Sequence, residues 1–409
     1  RNSDAGQWWD RYEALISHRF GAGARLISNS SITDIEAAIA SGDQHTVSSA
    51  VFYHGSGAYA SDIATTSIEQ FEYRGAAGDD LFLSWGNNMR VALGGAGTDA
   101  LYADWSTTTS AIIWNTTVNN DVQRTLGNGV VVQSIERLML KTGSGNDNLI
   151  MGDQDDHVET GAGNDSITTG AGINYVDAGS GNDVIDARQE NYAQGTILAG
   201  IGDDTIFAGS GNQGGSESLL TVDGGSGTDL LIVEARNSDA GQWWDRYEAL
   251  ISHRFGAGAR LVSSSSFADI EAGIASGNQH IVSSAVFYHN SGAYASDIAT
   301  TSIEQFEYRG AAGDDLFLSW GNNMRAALGG AGTDALYADW STTTAAIVWN
   351  ITVNNDVQRT LGNGVVVQSI ERLMLKTGSG NDNLIMGDQD DHVETGAGND
   401  TLNGGGGFD

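Results

Sequence analysis

Residues 142–186 read TGSGNDNLI MGDQDDHVE TGAGNDSIT TGAGINYVD AGSGNDVID, five nonapeptides in unbroken register. Each follows one template, x-G-x-G-x-D-x-U-x, with U a large aliphatic residue. The aliphatic slot holds Leu149, Val158, Ile167, Val176 and Ile185, and the acidic slot holds Asp147, Asp156, Asp165 and Asp183, with Asn174 as the exception. Alternate glycines permit tight turns with positive φ that aim carbonyl oxygens inward. The three residues after the acidic slot, such as Asn148-Leu149-Ile150, read as a short strand with its centre pointing in. Two nonapeptides then make one coil with a turn at each end, and coils stack as parallel strands roughly 4.8 Å apart. Stacking sets aspartate above aspartate along each edge. At about 5 Å and an effective dielectric near 20, each unscreened pair costs about 3 kcal/mol. A calcium ion between turns reverses that sign, and calcium takes six to eight hard oxygen ligands of this kind. Metal binding is therefore expected to be folding for this segment.

Working outward, the same unit recurs at 199–207 (AGIGDDTIF) and 224–232 (GGSGTDLLI), with a degenerate turn carrying Gln213 between them. It also occurs at 75–83 (GAAGDDLFL) and 94–102 (GGAGTDALY). The stretch 187–198 falls out of register. A larger repeat encloses all of this: Arg1–Asp10 returns as Arg236–Asp245, and residues 1–167 laid over 236–402 differ at only 14 positions. The expected organisation is a first unit, 1–235, and a shorter second unit, 236–409. In the first, a long β insert (1–74) precedes turns at 75–102, a short β insert (103–141) and a roll (142–232). In the second the corresponding segments are 236–309, 310–337, 338–376 and 377–409. The chain begins and ends inside repeats, as a piece of a longer polypeptide would.

The pattern resembles the RTX (repeats-in-toxin) family, whose signature is GGxGxDxUx. Residues 94–102 and 224–232 match every fixed position. The resemblance implies an all-β fold, a parallel β-roll or β-solenoid, binding multiple Ca2+ ions. It implies metal ligands at Asp80, Asp99, Asp147, Asp156, Asp165, Asp183, Asp204 and Asp229, then at Asp315, Asp334, Asp382, Asp391, Asp400 and Asp409. The matching turn glycines are Gly95, Gly97, Gly143, Gly145, Gly161, Gly163, Gly179, Gly181, Gly225, Gly227, Gly330, Gly332, Gly378, Gly380, Gly396 and Gly398. Turns carrying Asn174 and Gln213 are expected to bind weakly or not at all. The resemblance further implies type I secretion and an extracellular or cell-surface location.

Both inserts read as widened β coils in line with the roll. Each ends in a matching phrase, Ser67-Ile68-Glu69 or Ser134-Ile135-Glu136, followed by an alternating strand. Gly127-Asn128-Gly129 marks a hairpin, and Asp34–Ser41 a short helix stopped by Gly42. Trp8, Trp9 and Tyr12, with Phe52-Tyr53-His54, are candidates for a sugar-stacking platform or for core plugs of the wider coil. His157 and His392, beside predicted calcium aspartates, are expected on outward strand positions as surface residues rather than ligands, because calcium prefers oxygen.

The balance of 52 acidic against 19 basic residues gives a net charge of -33. No basic stripe exists, so a nucleic-acid partner is excluded, and no apolar run reaches membrane-spanning length. Cysteine is absent, so no disulfide or thiolate site can form. Proline is absent too. No HExxH, G-x-S-x-G or P-loop motif occurs, and no enzyme activity is expected. The reading that follows is a structural segment of a secreted bacterial adhesin, matrix or surface-layer protein, partnered by neighbouring repeats and self-associating into fibres. Glycan binding through the inserts, and service as the calcium-binding accessory of a secreted enzyme, are the alternatives.

Overall fold

Each nonapeptide spends its glycines and aspartate on a turn and leaves three residues to form a strand. The computed structural model describes residues 11–13, 15–54, 57–188, 194–209, 218–235, 246–289 and 292–409. Asn148–Ile150, His157–Glu159 and Ser166–Thr168 are strands of three residues whose middle side chain is buried. Asn148–Ile150 pairs in parallel with Ser166–Thr168, Leu149 opposite Ile167. His157–Glu159 pairs likewise with Ile173–Asp177, Val158 opposite Val176. Each partner lies 18 residues on, so two nonapeptides make one coil, as the sequence requires. Leu149, Val158, Ile167 and Val176 fill the interior, each worth about 1.5–3 kcal/mol of burial.

Packing divides the chain into 1–183 and 184–409, a different boundary from that of the sequence repeat. In the first body one parallel stack runs Leu81–Trp85, Ala100–Asp104, Arg137–Lys141, His157–Glu159 and Ile173–Asp177. A second runs Ile113–Asn115, Asn148–Ile150 and Ser166–Thr168. In the second body Thr205–Ala208, Leu230–Glu234, Gln305–Arg309, Met324–Leu328 and Val366–Gln368 stack in order.

The short insert is a widened coil. Trp105 and Trp114 fill it, and Trp105 Nε1 donates to Ser84 Oγ at 3.1 Å. Its hairpin joins Arg124–Thr125 to Val131–Gln133, with Gly129 at φ 86°. The long insert corrects the expectation. His45–His54 pairs antiparallel with Arg11–Glu13, Ser17–Phe20 and Gly57–Ala64. Only two residues separate His45–His54 from Gly57–Ala64, too few for the crossover that a parallel pair needs. The helix spans Ile32–Ala40, two residues earlier than expected, because Ser31 caps it by accepting from the Asp34 N–H at 3.1 Å. Its Ile35 packs with Phe20, Leu26, Leu81, Tyr102 and Met139, which ties the insert to the stack. Trp8 and Trp9 lie outside the described residues; Tyr12 is on the strand Arg11–Glu13, opposite Phe52.

The turn glycines divide into two kinds. Gly161 and Gly163, like Gly95, Gly97, Gly179, Gly181, Gly225, Gly227, Gly330, Gly332, Gly396 and Gly398, have positive φ. Gly143, Gly145, Gly378 and Gly380 do not, which corrects the uniform expectation. They are fixed by close approach instead: a Cβ on Gly143 would sit 1.8 Å from the Thr108 carbonyl oxygen, and one on Gly378 1.8 Å from that of Thr343. Gly163 combines both constraints, with φ 132° and a Cβ position 2.3 Å from the Gly145 carbonyl oxygen. Gly129 has positive φ and open space. Gly129→Ala should therefore cost about 1–2 kcal/mol in a urea titration at millimolar calcium. Gly163→Ala should cost clearly more, with equal losses counting against the stacking argument.

Candidate calcium sites

The aspartates of the template form a ladder. The backbone N–H of Asp147 donates to Asp165 Oδ1 at 2.7 Å, and that of Asp165 to Asp183 Oδ1 at 2.7 Å. The same bond joins Asp80 to Asp99, Asp204 to Asp229, Asp315 to Asp334, Asp382 to Asp400 and Asp391 to Asp409. Twelve of the fourteen ladder aspartates are buried; Asp400 and Asp409, in the last described coil, are not. One oxygen of each accepting carboxylate is thus committed to holding the preceding coil.

The second oxygen is the candidate metal donor. Oδ2 of Asp99, Asp156, Asp229, Asp315, Asp334 and Asp391 is buried without a hydrogen-bond partner. Backbone carbonyls converge on the same spaces. A Cβ on Gly75 would lie 2.0 Å from both Asp80 Oδ2 and the Gly94 carbonyl oxygen. One on Gly310 would lie 2.1 Å from Asp315 Oδ2 and from the Gly329 carbonyl oxygen. Among the described residues no three His, Asp or Glu side chains form a metal-binding group. The donor set is one or two carboxylate oxygens completed by carbonyls, which fits a hard oxygen-seeking cation.

Burial pushes these carboxyls up. Asp156 and Asp315 rise to about 8, Asp99 and Asp334 to about 7, and Asp80, Asp229 and Asp391 to about 6. At Asp99 the neighbouring carboxylates of Asp80 and Glu136 add to the effect of burial.

Two features escaped the sequence reading. The Ser-Ile-Glu phrases that end the inserts are ladder rungs. The Asp99 N–H donates to Glu136 Oε2, that of Asp229 to Glu304 Oε2 and that of Asp334 to Glu371 Oε2, at 2.9, 3.0 and 2.9 Å. Ser134, Ser302 and Ser369 stand in the left-handed region, at φ 49°, 50° and 51°. Their carbonyls occupy the place that the Gly94 carbonyl holds in the turn before: a Cβ on Gly94 would lie 1.9 Å from Ser134 O and 2.2 Å from Asp99 Oδ2. The repetition of the phrase was visible, but its glutamate was given no place among the ligand or ladder residues. The second feature is an outer ladder one residue before the aspartates. Asn146, Asn164, Asp79, Asp155, Asp203, Asp314, Asn381 and Asp390 each accept a backbone N–H from the following coil. Only Asn or Asp occupies this slot in these turns, and that restriction was the signal.

Asn174 is built differently. Its Oδ1 accepts the Asp156 N–H at 2.9 Å, keeping the ladder intact. Its Nδ2 donates to the carbonyls of Thr169 and Ala171 at 2.9 and 3.0 Å. The amide thus occupies the carbonyls that a cation would otherwise draw on. Gln213 lies outside the described residues. His157 stacks on Tyr175 at 4.3 Å between ring centres and His392 on Phe267 at 3.9 Å, both apart from the ladder.

The RTX calcium-binding nonapeptide repeat model matches this chain in four copies, at 140–167, 159–191, 196–212 and 377–409. These segments are RTX repeats. RTX nonapeptide repeats bind calcium at multiple sites. Comparison of the chain with curated proteins gave no match.

Asn174→Asp should add calcium-binding capacity, read as a higher stoichiometry in isothermal titration calorimetry; unchanged stoichiometry would contradict the role given to the amide. The raised carboxyls also set a pH dependence. The folded, metal-free chain holds protons that unfolded aspartates release near pH 3.9. Their contribution is therefore full below that value and is lost as pH rises through about 6–8. In chelator the residual β signal of the RTX roll should be greater at pH 5 than at pH 8, and calcium binding near pH 7 should release protons.

Proposed function

We propose that the chain is a calcium-built structural segment of a secreted bacterial adhesin, matrix or surface-layer protein, and that it is not itself catalytic. The observation that carries this reading is the continuity of the stack from one sequence repeat into the next. Ser218–Ser226 of the first repeat pairs in parallel with Gly292–Thr301 of the second, and Leu230–Glu234 with Gln305–Arg309. The turn between them carries the ladder across, through the Asp229 N–H and Glu304. A repeat that continues its own hydrogen-bonded stack into the next copy suits an extender, in which each module contacts its neighbours and length grows by addition.

Extracellular calcium modules work at roughly 10⁻⁴–10⁻³ M. Sites of this composition would leave the chain unfolded where calcium is scarce and fold it on export, which agrees with RTX repeat proteins being typically secreted. The described aromatics of the long insert favour a packing role: His18, Phe20, His45, Phe71 and Tyr73 pack in stacked and edge-on contacts with one another and with Trp85 of the adjoining strand. Glycan binding is left to rest on Trp8 and Trp9.

The test is a calcium titration from chelator, followed by circular dichroism and small-angle X-ray scattering. A cooperative gain of β signal near millimolar calcium, with a change from coil-like dimensions to a rod, is expected. A chain fully folded in chelator, or a compact sphere in calcium, would overturn the reading.

A further inference from the structure

The two copies of the long insert share their sequence over Gly57–Ala64 and Gly292–Ala299, and over Phe71–Arg74 and Phe306–Arg309. They differ in what lies beside them. Gly292–Thr301 is covered by Ser218–Ser226, and Gln305–Arg309 by Leu230–Glu234. Gly57–Ala64 pairs only with His45–His54, and Phe71–Arg74 only with Met89–Leu93, so each ends its sheet among the described strands.

Burial follows this difference. Ala295, Ser296, Asp297, Ile298, Ala299 and Thr300 are all buried, whereas Ser61, Asp62, Ile63 and Ala64 are exposed. Ile298 is 2% exposed and Ile63 60%. Phe306 is buried and Phe71 half-buried. Ile68, in the turn between the two strands, is 50% exposed. The turn is already set for a partner: Ser67 stands at φ 53°, as Ser302 does at 50°, and Glu69 holds the position from which Glu304 accepts the Asp229 N–H. The edge carries Asp62, Glu72 and Arg74 but neither lysine nor proline, and its backbone, unpaired among the described strands, is a template for another strand.

We infer that the edge formed by Gly57–Ala64, Ser67–Glu69 and Phe71–Arg74 is a docking surface for the coil 218–234 of a further copy of this repeat in the same polypeptide. The occupant is identified by the second copy, where that coil lies on the same sequence in a defined register, Leu220 opposite Ile298 and Leu231 opposite Phe306. Docking would also join Asp229 of the incoming coil to Ser67 and Glu69, completing a turn pair of the kind seen at Ser302 and Glu304. The inference rests on the extender reading and adds the residues through which repeats join.

The chain has no cysteine, so single thiols report on each edge. Ser61→Cys and Ser296→Cys would be made in this chain, and in an extended chain with residues 142–235 repeated ahead of Arg1. Maleimide labelling would be followed in millimolar calcium. In the present chain the Ser61→Cys thiol should react at least about tenfold faster than the Ser296→Cys thiol, as edge and covered positions do. In the extended chain the Ser61→Cys rate should fall to that of Ser296→Cys. Ile63→Cys and Ile298→Cys repeat the comparison if a serine variant misfolds, and circular dichroism checks the fold. Unchanged fast labelling at Ser61→Cys beside slow labelling at Ser296→Cys would overturn the docking surface while leaving the extender reading to the scattering measurement. Protection that appears in the present chain with rising protein concentration would assign the edge to a separate chain and overturn the occupant named here.

Discussion

The bond from an aspartate's backbone N–H to the carboxylate oxygen of the next rung constrains everything else in this roll. It fixes the distance between coils, because the Asp147 and Asp165 amides reach their acceptors at 2.7 Å. It also fixes composition. Coils this close leave no room for a Cβ at Gly143 or Gly378, and the glycines follow from the bond rather than from turn preference alone. The bond uses Oδ1 and buries Oδ2 with it. A buried carboxylate oxygen without a partner is costly, and the cost recurs at Asp99, Asp156, Asp229, Asp315, Asp334 and Asp391. Two agents relieve it, a proton or a calcium ion, and the raised carboxyl pKa values measure the same strain that the metal relieves.

The consecutive nonapeptides were legible because their turn chemistry is local: glycine, aspartate and aliphatic residue recur within nine positions. The roll, its two-nonapeptide coil and its buried aspartates follow from that spacing. The hairpin of the short insert was legible as well, through Gly127-Asn128-Gly129. The long insert was not. Its fold depends on His45–His54 pairing with three segments at different distances along the chain, and alternation alone does not say whether a strand returns antiparallel. The Ser-Ile-Glu turn was missed for a different reason. It replaces a left-handed glycine by serine and an aspartate by a longer glutamate, preserving the geometry while leaving the motif.

The duplication supplies a comparison within one molecule. The 14 differences between residues 1–167 and 236–402 avoid every ladder acid, including Glu136 and Glu371. They fall where a substitution can be absorbed. Thr116 donates its hydroxyl to the Ile150 carbonyl, and Ile351 at the equivalent position simply fills the same buried space. Ile32 becomes Phe267, which reaches His392 and lies beneath Lys376 Nζ at 5.1 Å. Packing residues vary while the rungs do not, as expected if the rungs set a spacing that every coil must share.

The two edges of the roll do not make equal demands on calcium. One carries Asp147, Asp165 and Asp183 in succession, so each rung adds a buried carboxylate. The other passes from Asp156 to Asn174, where an amide keeps the ladder bond and supplies its own donors to Thr169 and Ala171. Beside that neutral turn, Arg137 donates to the carbonyls of Ser28 and Ser30 and faces Asp156 as a counter-charge. The second edge therefore holds part of its geometry with covalently attached charge and hydrogen bonds. Asp156 nevertheless keeps a buried Oδ2 without a hydrogen-bond partner, whereas Asp147 Oδ2 on the first edge accepts the Thr142 hydroxyl, so neither edge is relieved by hydrogen bonds alone.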